Sequence, residues 1–202
     1  MSNNFLERNL ALEAVRVTEA AALSSSLHMG RGNEKAADQA AVNAMREFLN
    51  NLAISGTVVI GEGERDKAPM LYIGEKVGKG GPSVDIALDP LEGTTITAQG
   101  GENALSVLAM AEEGGFLHSP DIYMHKIAYG KKYEGLNIDP ESPSDEIIRS
   151  FSKYASIKIE NIVVCILDRP RHKELIYKVR STGARIKLIS DGVSTIFPSI
   201  FL

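Results

Sequence analysis

Apolar positions along the first fifty residues recur with helical spacing. Leu6, Leu10, Ala14, Val17 and Ala21 repeat at intervals of three and four, which predicts a helix over 5–28 with one apolar stripe. Gly30, Arg31, Gly32 and Asn33 break it. A second helix is expected over 34–52, with Ala41, Met45, Phe48 and Leu52 on one face. The alanine-rich faces let the two pack closely as an antiparallel hairpin. The grammar then changes to short β-branched and apolar runs. Strands are expected at 57–60, 84–88, 105–111 and 122–129, and 112–115 forms the hairpin turn between the last two. The stretch 71–77 reads as a short helix or an irregular strand, and 78–82 as a loop.

Residues 130–143 are rich in Gly, Lys, Asn and Pro and mark the approach to a boundary. Ser142 is expected to cap a helix over 143–155, with Pro143 at its first position and Asp145 three residues on. A continuous apolar strand at 162–167, a helix over 170–182 stopped by Gly183, and a strand at 185–190 make a β-α-β unit of the kind that builds a parallel sheet. The expected organisation is an α+β domain over 1–158, a helical hairpin on a mixed or antiparallel sheet, followed by the start of an α/β domain over 159–202. The tail from Ser194 to Leu202 holds five large apolar residues and no charge.

Composition narrows the function. Hydrophobic residues make up 44% of the chain, enough for a sizeable core, and 22 basic against 26 acidic residues leave a net charge of −4. That balance speaks against non-specific nucleic-acid binding, which needs a basic face. The single cysteine, Cys165, sits in an apolar strand and is expected to be a buried, inert thiol. With no intrachain disulfide possible, a reducing cytoplasm is the expected setting. No apolar run approaches the roughly 20 residues needed to span a bilayer, and no secretion signal is expected from residues 1–7, which lack a basic leader and an apolar run.

The acids carry the chemistry. Ile86-Ala87-Leu88 runs into Asp89-Pro90-Leu91-Glu92-Gly93-Thr94. A strand is expected to end at Asp89, with Pro90 forcing a turn that holds two carboxylates and a hydroxyl together. Hard divalent cations such as Mg²⁺ and Mn²⁺ take such oxygen ligands and bridge to phosphate. Glu62 and Glu64 follow the strand 57–60 in Gly-Glu-Gly-Glu, and the glycines allow close approach of a ligand. Asp38 stands in the first turns of the second helix, where the helix dipole alone would favour it. Acids from these separate segments can converge on two cations, the arrangement that stabilises both attacking and leaving oxygens at phosphorus. Thr94 can orient the attacking water or cap the next helix.

At this point the chain resembles the class II (GlpX-type) fructose-1,6-bisphosphatases, members of the lithium-sensitive metal phosphatases. Gly30-Arg31-Gly32, Ala37-Asp38, Asn43-Ala44-Met45-Arg46, Ile60-Gly61-Glu62-Gly63-Glu64, Ala68-Pro69-Met70 through Glu75, Asp89 through Thr94, Pro120-Asp121-Ile122-Tyr123-Met124 and Arg169-Pro170-Arg171-His172 run in family order. The resemblance implies a layered α/β/α sugar-phosphatase fold, left incomplete here. It implies hydrolysis of fructose 1,6-bisphosphate to fructose 6-phosphate in gluconeogenesis, with Mn²⁺ or Mg²⁺ in a two-metal site. Asp38 and Glu62 would bind one metal, Asp89 and Glu92 the other. Glu62 and Thr94 would be catalytic, Thr94 by positioning the water nucleophile. Glu92, Gly93 and Thr94 would touch the reacting phosphate and Tyr123 the sugar phosphate. Arg169, Pro170 and Arg171, with Asp191 and Gly192, would hold the phosphate that stays, while His172 is either a ligand contact or a surface residue. Family habit and the apolar tail point to a homo-oligomer.

Two departures bear on activity. The family has an acid where Val193 stands, and it continues into a Gly-Gly-x-Pro-Glu-Gly loop, whose glutamate completes the metal site and which these residues lack. The expectation is low or absent turnover unless a second chain supplies the missing part. A related phosphatase for sedoheptulose bisphosphate or an inositol phosphate, and a non-catalytic remnant that binds sugar phosphate, are the alternatives.

Overall fold

The computed structural model describes residues 4–61, 70–117 and 125–190, with side chains from Leu10 onward in the first helix. The chain divides into two compact units, Met1–Pro120 and Asp121–Leu202.

In the first unit, α1 (Asn4–Ser26) and α2 (Glu34–Leu49) pack on each other and on the sheet. The Asn33 side chain caps α2 by accepting from the Ala36 N–H at 3.1 Å. The sheet runs β2-β1-β3-β4, from β1 (Ser55–Ile60), β2 (Lys76–Val77), β3 (Ser83–Glu92) and β4 (Leu105–Glu112). β1 and β3 are parallel, and both edge pairings are antiparallel, so the sheet is mixed as expected. Val17, Ala21, Ala41, Met45, Leu49, Val58, Leu71, Ile86 and Leu88 form the core between helices and sheet. A short helix, α3 (Thr94–Gln99), follows β3 and packs on α2.

Four local expectations are corrected. Phe48 is 43% exposed, and Leu49 takes the core position, because the buried ridge of α2 runs at intervals of four through Ala37, Ala41 and Met45. Stretch 71–77 yields only the two-residue strand β2. β3 does not stop at Asp89. It continues to Glu92, with a register irregularity between Asp89 and Glu92 that lets buried Pro90 stay in the strand without donating to the ladder. Finally, 125–129 is not strand, and 122–124 lie outside the described residues. Tyr129 instead donates its hydroxyl to the Leu136 carbonyl, and its ring packs against Phe151. In the turn at 112–115 the Gly114 N–H donates to the buried Asp85 Oδ2 at 2.8 Å, and the start of the strand expected after it lies outside the described residues.

In the second unit, α4 (Ser144–Ala155) and α5 (Lys173–Ser181) accompany two parallel strands, β5 (Val163–Leu167) and β6 (Arg185–Ile189). Ile148, Ile162, Ile166, Ile176 and Val179 make its core. Since Ile148 and Phe151 of α4 belong to this core, the unit begins well before residue 159. Ser142 does not cap α4. Pro143 is extended, with ψ 137°, and its carbonyl accepts the first helical bond from Ile147, so the helix opens at Ser144. The helix expected over 170–182 is preceded by a 3₁₀ turn, Pro170–His172. Cys165 is half-buried, paired across the strands with Lys187, and burial raises its thiol pKa. No described helix is long and apolar enough to cross a membrane.

Candidate metal and phosphate site

The acidic turn is built by the end of β3. Asp89 Oδ1 accepts from the Leu91 N–H at 3.0 Å, a local Asx turn that holds the carboxylate over the bulge. Pro90 and Leu91 are buried, so they anchor the turn while Asp89 and Glu92 stay partly open. Gly93 then takes φ 106°, and a Cβ there would meet Ala104 and Ile96 at 3.3 Å, so the chain reverses tightly into α3. Thr94 is the first residue of α3, and no side chain caps that helix. Thr94 is therefore not its cap.

The loop between α1 and α2 is stitched to this turn. Gly30 N donates to the Thr97 carbonyl at 2.9 Å and Gly32 N to Ala98 at 2.8 Å. α2 packs on both β3 and α3, and Asp38 sits one turn into it. Asp38 Oδ1 is buried and has no hydrogen-bond partner among the described residues, and burial raises the carboxyl pKa. An orphaned carboxylate oxygen in that position costs free energy unless it is protonated or meets a cation. A hard divalent ion fits this donor set.

The parallel register pairs Ile60 of β1 with Ala87, two residues before Asp89. Glu62, Tyr123, Asp191 and Gly192 lie outside the described residues. Among the described residues, no three His, Cys, Asp or Glu side chains gather as a metal cluster. The structure thus groups Asp89, Glu92, Gly93 and Thr94 on one turn and packs against it the helix that bears Asp38.

In the second unit, Arg169, Pro170 and Arg171 follow the carboxyl end of β5, where ligands bind in open parallel sheets. Arg169 is extended and partly buried, while Arg171 is exposed. His172 is committed elsewhere: its Nδ1 donates to the Leu167 carbonyl at 2.8 Å.

Sequence reasoning assigned no role to Arg46 and Glu75. Arg46 reaches from α2 to both carboxylate oxygens of Glu75, at 2.7 and 3.1 Å, and Glu75 is buried. An arginine set between the core residues Met45 and Leu49 was the available signal.

Comparison with known proteins agrees with this architecture. Residues 8–198 match the model of bacterial fructose-1,6-bisphosphatase, glpX-encoded. The chain belongs to that family, which is metal-dependent. It is 49% identical over 188 residues to fructose-1,6-bisphosphatase 1 class 2 of Escherichia coli strain K12, and equally to fructose-1,6-bisphosphatase class 2 of Shigella flexneri. Each match covers 93% of this chain and 56% of the relative, so the chain spans little more than half their length.

Proposed function

We propose that this chain carries the metal- and substrate-binding half of a phosphatase acting on fructose 1,6-bisphosphate, in cytoplasmic gluconeogenic metabolism. The observation that carries the reading is the buried, unpartnered Asp38 Oδ1 on a helix packed against the Asp89–Glu92 turn, in a chain of this family. Asp38 and Glu62 would hold one Mn²⁺ or Mg²⁺, and Asp89 and Glu92 the second. Bound divalent metal supplies the charge that makes water nucleophilic and phosphorus attackable at neutral pH. Thr94, with its hydroxyl beside both acids in sequence, orients that water. Glu92, Gly93 and Thr94 contact the phosphate that leaves, and Tyr123 the sugar phosphate. Arg169 and Arg171, with Pro170, Asp191 and Gly192, hold the other phosphate, and two guanidiniums suit a bisphosphate over a monophosphate. Exposed Leu12, Val15 and Leu23 along α1, with Leu27 just after it, support self-association.

Calorimetric titration of fructose 1,6-bisphosphate into the chain with Mn²⁺ tests this, with phosphate release followed in parallel. Replacing either Arg169 or Arg171 with alanine is expected to weaken binding by about 10- to 100-fold, since a hydrogen bond to a charged group is worth roughly 1.5–3 kcal/mol. Binding that ignores both Mn²⁺ and these arginines would sink the reading.

A further inference from the structure

Segment 70–75 lies across the end of β1, and a single fork holds it there. Arg46 Nε donates to Glu75 Oε1 at 2.7 Å, and Nη2 donates to Glu75 Oε2 at 3.1 Å and to the Met70 carbonyl at 2.7 Å. Glu75 Oε2 also accepts from the Tyr72 N–H at 3.4 Å, and the Glu75 N–H returns to the Tyr72 carbonyl at 3.0 Å. The resulting turn is pinned to the strand: Gly74 N donates to the Val58 carbonyl at 2.7 Å, and Val58 N to the Glu75 carbonyl at 2.9 Å. Leu71 is fully buried in the core, and its carbonyl lies so near Gly61 that a Cβ on that glycine would stand 2.5 Å from it. The point where the chain leaves β1 and the point where it returns are thus in contact, and Arg46 ties the return to α2.

We infer that Arg46 and Glu75 are positioning residues, which fix the exit at Gly61 and the return at 70–75 relative to α2 and thereby set the cation affinity of Asp38. Arg46 follows Asp38 by eight residues on the same helix, about 12 Å at 1.5 Å per residue. One rigid rod therefore carries an acid of the site at one turn and the clamp two turns later. Stability alone is a poor reason for this pair, because an apolar pair of similar volume serves as well or better in a mostly buried position. What apolar side chains lack is the planar fork that fixes the Glu75 carboxylate and the Met70 carbonyl at one angle.

The inference rests on the phosphatase reading only for the claim about cation affinity. Three variants separate geometry from stability: Arg46→Lys, Glu75→Gln, and the apolar double replacement Arg46→Met with Glu75→Met. Each is measured for melting temperature, Mn²⁺ affinity by calorimetry, and the rate of trypsin cleavage after Arg65 and Lys67, which lie between the two anchored points in sequence. All three are expected to lose at least 10-fold in Mn²⁺ affinity and to be cut at least 10-fold faster at those two bonds. The apolar pair is expected to recover the melting temperature of the starting chain without recovering either. Recovery of affinity and cleavage rate along with melting temperature would show a merely structural pair and overturn the inference. So would cleavage rates unchanged in Arg46→Lys, the variant least apt to misfold. If the starting chain binds no Mn²⁺, the metal reading fails, and cleavage alone decides whether the clamp exists.

Discussion

Mn²⁺ is expected to raise the melting temperature of this chain by about 5–10 °C at a hundredfold excess over its dissociation constant, and to raise that of the Asp38→Asn variant by less, since Asp89 and Glu92 would keep the second cation. The size follows from linkage, since a ligand at that excess adds about 2.7 kcal/mol, and a chain of this length gains about 2–4 °C per kcal/mol. The direction follows from Asp38 Oδ1, which is buried without a partner. Without metal the same group works against folding. Its folded pKa is raised by burial above the unfolded value, so between those two values the folded state holds the proton more firmly. Stability of the metal-free chain therefore falls as pH rises from the ordinary carboxylate range through the raised value. Asp38→Asn removes that slope, and without metal near pH 7 it is expected to be more stable than the starting chain, because no charge is then held in a desolvated position. Thermal unfolding across pH, with and without Mn²⁺, checks both signs. A variant that is less stable without metal and responds to Mn²⁺ as fully as the starting chain would remove Asp38 from the site.

Replacing Gly78 with alanine is expected to cost about 2–5 kcal/mol, and the same change at Gly80 only about 1–2. Both glycines hold positive φ, 97° and 95°, which an L side chain adopts at about 1–2 kcal/mol. They differ in surroundings. A Cβ at Gly78 would lie 2.1 Å from the Ile54 carbonyl oxygen, whereas nothing lies within 4 Å of one at Gly80. Backbone cannot yield as a flexible side chain does, so overpacking adds about 1–3 kcal/mol at Gly78 alone. Denaturant unfolding of the two variants side by side reads the difference, and equal losses would refute the contact. The consequence reaches the sheet, because 78–80 is hydrogen-bonded to Leu52 and Ile54 at the entry to β1.

The helical pair, the β-α-β unit and the acidic turn after Leu88 were legible from periodicity and turn residues. Each rests on interactions a few residues apart: the buried ridge of α2 at intervals of four, the Asn33 cap, the reversal at Gly93. Errors arose where a partner distant in sequence decided. Pro90 reads as a strand terminator, yet pairing with β4 carries β3 through it to Glu92. Residues 125–129 read as a strand, yet Tyr129 is drawn to Phe151 of α4. Phe48 and Leu49 are both apolar and adjacent, and only the face that α2 turns to the sheet separates them.

By itself the sequence determined which side chains are available for chemistry, because carboxylates, a hydroxyl and arginines are given by residue type, while the fold tunes them. It also determined the local turns that present Asp89, Glu92 and Thr94 together. Only the tertiary structure decided that the Asp38 Oδ1 atom is buried without a partner among the described residues, and that Arg46 closes on Glu75 across 29 residues. Burial and long-range pairing depend on how distant segments exclude water from one another, and no window of neighbouring residues contains that information.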